Sequence, residues 1–354
     1  MPKQATEIPR TGEDLVAALC GEEPYRPLRE ALVETFGTGV RATERLRVEK
    51  LDGRAYRVEL ETSEHHSVVL KIFRVLRARR NELVLNRWLP AVGLSHLAPR
   101  LLAVAPGPDD SSVWHVYEDC GDVTLADRED PGSIRSALRA IGRVHAAFVE
   151  HPLLEEITTQ GKPPGNYFFD TPELHESVRA SVERLNASKD VPRSDTIANL
   201  ADCLAALAPV FANTAPISGP QTLLHGDLYP SNIVVSNGAH GDDEAACSAR
   251  LIDWDRAGIG PFLFDLAFIV GELAPEGRQL ALSAYRESME PHLTAWPTPQ
   301  EWQQQFKRVR MGRIVRAIET YVGLFENGNG EYAIQKFEEA LSWLTTETAD
   351  ELPV

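Results

Sequence analysis

The character of the chain's hydrophobic periodicity changes near Asp122, and that change limits the fold more than any single motif. Before it, "RLRVEKL", "AYRVELE" and "SVVLKIF" are rich in β-branched or alternating apolar residues and are separated by the turn material "DGR" and "TSEHH". That is the signature of half-buried strands. A helical pattern follows through "RARRNELVLNRWLP" and stops at Pro90. Two further strands are expected at "RLLAVAP" and "SVWHVYED", joined by the turn cluster "GPDDSS". Beyond Asp122 the helical period takes over, in "IRSALRAIGRVHAAFVE", "ELHESVRASVERL", "TIANLADCLAALAPVF", "FKRVRMGRIVRAIETYVGLFE" and "YAIQKFEEALSWL". A single β island interrupts it, "NIVVSN" and "SARLIDWD".

The expectation is an α+β chain. Residues 44–120 form a small antiparallel β lobe with one helix, and residues 121–354 form a larger, mainly helical lobe. Two short helical patterns, "EDLVAALC" and "LREALVETFG", make residues 1–43 an N-terminal helical extension. The segment 151–172, "HPLLEEITTQGKPPGNYFFDTP", reads as a Pro/Gly-rich connection suited to a lid or binding loop.

Composition excludes several function classes. A length of 354 residues suits two lobes or two domains. A formal net charge of −16 argues against a nucleic-acid or anionic-membrane partner, because phosphate would be repelled. The four cysteines are scattered, with no CxxC pair, which fits reduced thiols rather than a disulfide framework or a zinc site. No apolar leader opens the sequence, and the most apolar window, "FLFDLAFIVGEL", carries Asp265 and is too short to span a bilayer. A cytoplasmic protein is expected. "GTGVRA" and "GNGEYA" match a dinucleotide fingerprint but follow helical patterns rather than strands. Neither a P-loop nor a G-x-S-x-G elbow occurs.

The chemistry concentrates in "LLHGDLYPSNIVV", Leu223 to Val235, which sets Asp227 and Asn232 on a short polar loop between apolar runs. A second carboxylate, Asp253, arrives in "LIDWD" over residues 251–255. Phosphoryl transfer needs such groups. One carboxylate orients the attacking hydroxyl and accepts its proton, while a carboxamide oxygen and another carboxylate hold Mg²⁺ against nucleotide phosphates. The phosphate tail also needs a fixed cation, and Lys71 in the apolar strand "SVVLKIF" is the candidate. A lysine in such a strand should have a partner, which Glu82 on the next helix could supply.

Taken in order, Lys71, Glu82, "HGDLYPSN" and Asp253 resemble the protein-kinase set, with Gly226 where the kinases have Arg and "IDWD" where they have D-F-G. In this form the pattern resembles the aminoglycoside phosphotransferases and their choline-kinase-like relatives over roughly residues 44–345, including "IGRVHAAF" around His145. The resemblance implies a bilobal protein-kinase-like fold. It implies Asp227 as catalytic base, Asn232 and Asp253 as Mg²⁺ ligands, and Lys71 on the nucleotide phosphates, oriented by Glu82. Gly53 would serve the phosphate-covering turn. Residues Tyr117 to Cys120, with Glu118 between them, would form a hinge offering backbone groups to the purine. Asp265 would accept backbone N–H groups that brace the catalytic loop, with His225 in a similar role. Acceptor contacts are expected from the helical lobe, at Tyr167, Phe168, Asp255 and Glu272.

The function implied is an ATP- or GTP-dependent kinase of small molecules. Its acceptor would be an antibiotic (an aminoglycoside or another class, nucleosides included) or a metabolite such as choline, ethanolamine, a sugar or an amino alcohol. A protein kinase is disfavoured because no A-P-E segment follows "IDWD". A non-catalytic nucleotide-binding regulator is disfavoured because Lys71, Asp227, Asn232 and Asp253 are all retained.

Overall fold

The computed structural model describes residues 9, 11–21, 23–37, 48–51, 54–59, 67–160, 172–187, 195–212, 219–236, 247–292 and 297–349. The chain divides into two compact units: the part up to Ala147 together with Pro230–Ala257, and Phe148–Tyr229 together with Gly258–Val354.

The first unit opens with helices α1 (Gly12–Gly21) and α2 (Arg26–Phe36). Strands β1 (Val48–Lys50), β2 (Ala55–Glu59) and β3 (Ser67–Arg74) follow. The helical stretch after β3 comprises α3 (Val75–Leu83), a π turn at Val84–Trp88 and α4 (Leu89–Ala91). Strands β4 (Leu101–Pro106) and β5 (Ser112–Glu118) complete one antiparallel sheet in the order β1-β2-β3-β5-β4. In β3, Val68, Leu70 and Ile72 are buried on one face while Ser67, Val69 and Lys71 are half-buried on the other. The alternation read in the sequence is this alternation of faces.

Helices α1 and α2 belong to the same core. Leu15, Leu19, Leu28 and Leu32 join Tyr56, Val58, Leu70 and Trp114 in one buried cluster. The Tyr25 and Tyr56 rings lie 6.3 Å and 6.1 Å from that of Trp114. The expected boundary between residues 43 and 44 therefore does not separate an appendage from a lobe. An apolar sheet face needs a cover, and these helices supply it.

In chain order the rest runs α5 (Pro131–Phe148), α6 (Leu153–Gln160), α7 (Pro172–Ala187), α8 (Asp195–Ala212) and β6 (Gln221–Leu224). Then come β7 (Ile233–Ser236), β8 (Ser248–Leu251), β9 (Gly258–Pro261) and α9 (Leu263–Glu272). The chain closes with α10 (Pro275–Met289), α11 (Pro299–Glu326) and α12 (Gly330–Ala349). In the first unit β7 and β8 form an antiparallel hairpin with Ile233 opposite Leu251. Residues 123–125 line its edge, the Leu125 amide donating to the Ile233 carbonyl at 2.8 Å.

In the second unit β6 pairs with β9, and α7, α8, α11 and α12 share a core that includes Val182, Leu200, Leu204, Val315, Ile318 and Phe337. A capping box launches α11: the Glu301 amide donates to the Thr298 hydroxyl while the Glu301 carboxylate accepts from the Thr298 amide. Among the described residues no helix is long and apolar enough to cross a membrane.

Elements α6, α9, α10, β6 and β9 go beyond the expectation. Helix α6 takes the first part of segment 151–172, which read as a connection because its helical run is only two turns long. Gly53, Tyr167 and Phe168 lie outside the described residues.

Two outcomes test this packing. Leu28→Ala should cost about 2–5 kcal/mol in urea unfolding, the usual range for emptying a core leucine site; a loss near zero would make α2 dispensable. Stability should also fall on the acid side. His175 on α7 stacks on Phe211, with ring centroids 4.7 Å apart, and donates Nε2–H to the Leu204 carbonyl at 2.7 Å. Burial pushes its pKa below the ordinary histidine value. As pH drops below about 6.5, the unfolded chain takes up a proton that the native site refuses, so stability falls. Thermal melts between pH 7.5 and 5.5 should slope down in the wild type and less steeply in His175→Asn.

Candidate active site

The first unit carries Lys71, Glu82, Tyr117 to Cys120 at the end of β5 and just beyond it, Asn232 and Asp253. Lys71 projects from the face of β3 opposite the core and is 25% exposed. Its Nζ lies 2.6 Å from Asp253 Oδ2. Asp253 follows β8 in the left-handed region, at φ 68°, a conformation few non-glycine residues adopt. Its other oxygen, Oδ1, is buried with no hydrogen-bond partner among the described residues. The Ile252 amide donates to the Asn232 carbonyl at 2.9 Å, so the β7–β8 hairpin draws Asn232 alongside the segment that carries Asp253.

Glu82 is not the partner of Lys71. The β3–β5 register sets His115 opposite Lys71, and Glu82, arriving from α3, accepts from His115 Nε2 at 3.0 Å. Nδ1 of His115 faces two donors, the Tyr117 hydroxyl at 2.8 Å and Asn81 Nδ2 at 3.2 Å. The ring is therefore the neutral Nε2–H tautomer. Burial depresses its pKa, against the pull of Glu82.

The side chains of Tyr117 to Cys120, expected to form a hinge, are largely committed to other contacts. Tyr117 points inward, and burial raises its phenol pKa well above the ordinary value. Glu118 accepts from the Arg100 amide at 3.0 Å, from Arg100 Nε at 2.9 Å and from Arg250 Nη1. Burial works to raise its pKa, but these partners outweigh burial and lower it. Arg250 Nη1 also lies 3.5 Å from Cys120 Sγ, and burial, working against that guanidinium, raises the thiol pKa. Asp119 holds the turn by accepting from Arg57 Nε at 2.7 Å, Ser67 at 2.7 Å and the Gly121 amide at 2.9 Å. The sequence reading missed Asp119, Arg100 and Arg250, since only the fold brings them together.

Asp255, expected to face an acceptor, is 5% exposed and ion-paired with Arg77 at 3.1 Å. The 254–256 turn packs against α3, and Trp254 between the two aspartates is buried, its Nε1–H donating to the Leu251 carbonyl at 2.8 Å. "IDWD" thus aims one carboxylate outward and uses its other polar residue as a brace.

The second unit carries Asp227, His225, Asp265 and Glu272. Asp265, buried in the first turn of α9, accepts from the His225 amide at 2.5 Å and the Gly226 amide at 2.9 Å. Gly226 sits at φ 82°, where a side chain would be strained. The Asp227 amide donates to His225 Nδ1 at 3.4 Å, and the Asp227 carbonyl accepts from the Tyr229 amide at 2.9 Å. The loop is held by its backbone while the Asp227 carboxylate stays half-buried. Glu272 is exposed at the end of α9.

Asp253 and Asn232 suit a hard cation. A buried, unpaired carboxylate oxygen is costly unless something binds it. Mg²⁺ at nucleotide sites takes few protein ligands and completes its shell with phosphate and water. Among the described residues no cluster of three or more His, Cys, Asp or Glu side chains could cage a metal.

The fold is found among solved kinases of small molecules. A spectinomycin phosphotransferase solved with ADP and spectinomycin is 15% identical, with TM-score 0.58, over 86% of this chain and 93% of that one. A choline kinase from Cryptosporidium parvum is 14% identical, with TM-score 0.54, over 91% and 96%. A microcompartment-associated aminopropanol kinase is 15% identical, with TM-score 0.56, over 92% and 98%. These likenesses define the fold as the protein-kinase-like α+β class. None of the curated proteins compared matches the chain. The model of the phosphotransferase enzyme family matches residues 45–302, and the chain belongs to that family.

Removing the Asp265 carboxylate would leave two buried N–H groups unpaired, at about 1–3 kcal/mol each. Asp265→Ala should therefore lose about 2–6 kcal/mol in urea unfolding. A loss below 1 kcal/mol would show that the loop is held by other means.

Proposed function

We propose that the protein transfers the γ-phosphoryl group of ATP or GTP to a hydroxyl of a small acceptor. The observation that carries this reading is the Lys71–Asp253 pair, in which the carboxylate keeps a buried oxygen unpaired. In the proposed reaction the Lys71 ammonium meets the nucleotide phosphates. Asp253 and Asn232 would hold Mg²⁺, which would supply neutralisation of phosphate charge. Asp227 orients the acceptor hydroxyl in line with the γ-phosphorus. As the new O–P bond forms and the bond to the β-phosphate oxygen breaks, the hydroxyl proton passes to the Asp227 carboxylate. Glu82 acts one step removed, fixing the tautomer of His115 opposite Lys71 in the sheet. The scattered cysteines suit action in the cytoplasm.

For the acceptor, an antibiotic is the first reading, giving resistance or self-protection, supported by the fold's likeness to a spectinomycin phosphotransferase. A metabolic acceptor is the second, supported by the comparable likeness to choline and aminopropanol kinases.

Asp227→Asn should lower kcat by roughly 10²–10⁴-fold, the span of general acid–base groups, while nucleotide affinity holds. Asp253→Ala should instead shift the Mg²⁺ concentration that activity requires. Radiolabelled phosphoryl transfer to a panel of antibiotics and metabolites, with Mg²⁺ titrations, measures both. Near wild-type kcat in Asp227→Asn would overturn the assignment of the base.

A further inference from the structure

Arg313, on α11 of the second unit, has no role in the site as described so far. Its guanidinium carbon lies 3.7 Å from the Tyr229 ring centroid and 3.8 Å from that of Phe268 on α9. The two rings are nearly parallel, 11° apart in plane, with centroids 6.2 Å apart. Tyr229 stands two residues after Asp227, and its amide donates to the Asp227 carbonyl at 2.9 Å. The rings thus fix a cation against the catalytic loop itself.

Stacking on aromatic faces uses the plane of a guanidinium and leaves its edge of N–H donors to other partners. Among the described residues, no hydrogen bond or ion pair occupies that edge. None of the Arg313 nitrogens is among the fully buried unpaired atoms, so the edge is not wholly sealed. Burial lowers the Arg313 pKa to about 10, with the Asp227 charge working the other way, so the group is cationic at neutral pH. A fixed cation so close to Asp227 penalises a positively charged neighbour of the reacting hydroxyl and rewards a negative one. Its forked donors match the two oxygens of a carboxylate or phosphate.

We infer that Arg313 selects the acceptor, its guanidinium edge binding an anionic oxygen group carried near the hydroxyl that is phosphorylated. The acceptor is then a hydroxy acid or a phosphate ester, an antibiotic of that kind included, rather than a polycationic amino sugar or a quaternary ammonium alcohol. This rests on the kinase reading above and narrows it.

The test is calorimetric binding to the full chain with Mg²⁺ and a non-hydrolysable ATP analogue present. Gluconate and glucose 6-phosphate represent the anionic class, kanamycin and choline the cationic one. The wild type should bind at least one anionic probe more tightly than either cation. Arg313→Met should weaken that binding roughly 10- to 100-fold, the worth of a charged hydrogen bond. Arg313→Lys should recover part of it, and nucleotide affinity should be the same in all three. If Arg313→Met fails to fold, an intermediate affinity in Arg313→Lys carries the result. Tighter binding of a cationic probe, no binding of either anion, or anion binding indifferent to Arg313 would overturn the inference. Failure of the nucleotide analogue to bind the wild type would instead remove the kinase reading, and Arg313-dependent anion binding would survive it.

Discussion

A carboxylate held half inside a protein demands a cation, and much of the first unit is arranged around that demand at Asp253. Lys71 answers it with one ammonium, 2.6 Å from Oδ2. To do so the lysine must leave an apolar strand on the face away from the core, which the alternation of β3 from Ser67 to Ile72 provides. Two residues on, Asp255 poses the same problem and solves it internally with Arg77. Burial and the neighbouring Asp253 raise the Asp255 pKa, while Lys71 and Arg77 pull it back. Trp254, buried between them, fixes which carboxylate faces which partner.

The second unit meets the equivalent problem with backbone rather than side chains. Asp265 is fully buried and lies in the first turn of a helix, where the macrodipole favours negative charge. Its two oxygens are taken by consecutive amides of the loop that presents Asp227. The charge of Asp265 becomes a clamp on loop geometry, and the Asp227 side chain takes no part in that clamp. Aromatic faces hold Arg313 nearby, so the loop gains a fixed positive neighbour that, among the described residues, forms no salt bridge.

Much of this was legible in the sequence, for reasons that are local. The strands β2, β3 and β5 announce themselves by alternation, and the long helices by their period. Asp227, Asn232 and Asp253 stand out because polar residues interrupt apolar runs. What escaped depends on register and tertiary packing. Nothing in "SVWHVYE" tells that His115 will sit opposite Lys71 and intercept Glu82. The short strands β6 and β9 are four residues each, and "GIGP" has little intrinsic preference for a strand. Helix α9 is buried nearly all round, so it lacks the amphipathic stripe by which helices are recognised. Nothing in "FKRVRMGRIVR" singles out Arg313 from the other basic residues, because its partners come from two distant segments.

The conformation of Asp253 also bears on how such a chain can decay. A left-handed backbone, an ammonium drawn to it and an orphaned buried oxygen are all maintained at a cost to folding. Glycine at this position would relax the backbone and remove the buried charge together. A gene copy freed from selection for turnover would meet little thermodynamic resistance to that change. Silenced descendants of this chain would therefore keep the fold and melt at higher temperature than the working enzyme, and their inertness would be written in one residue rather than in a ruined structure.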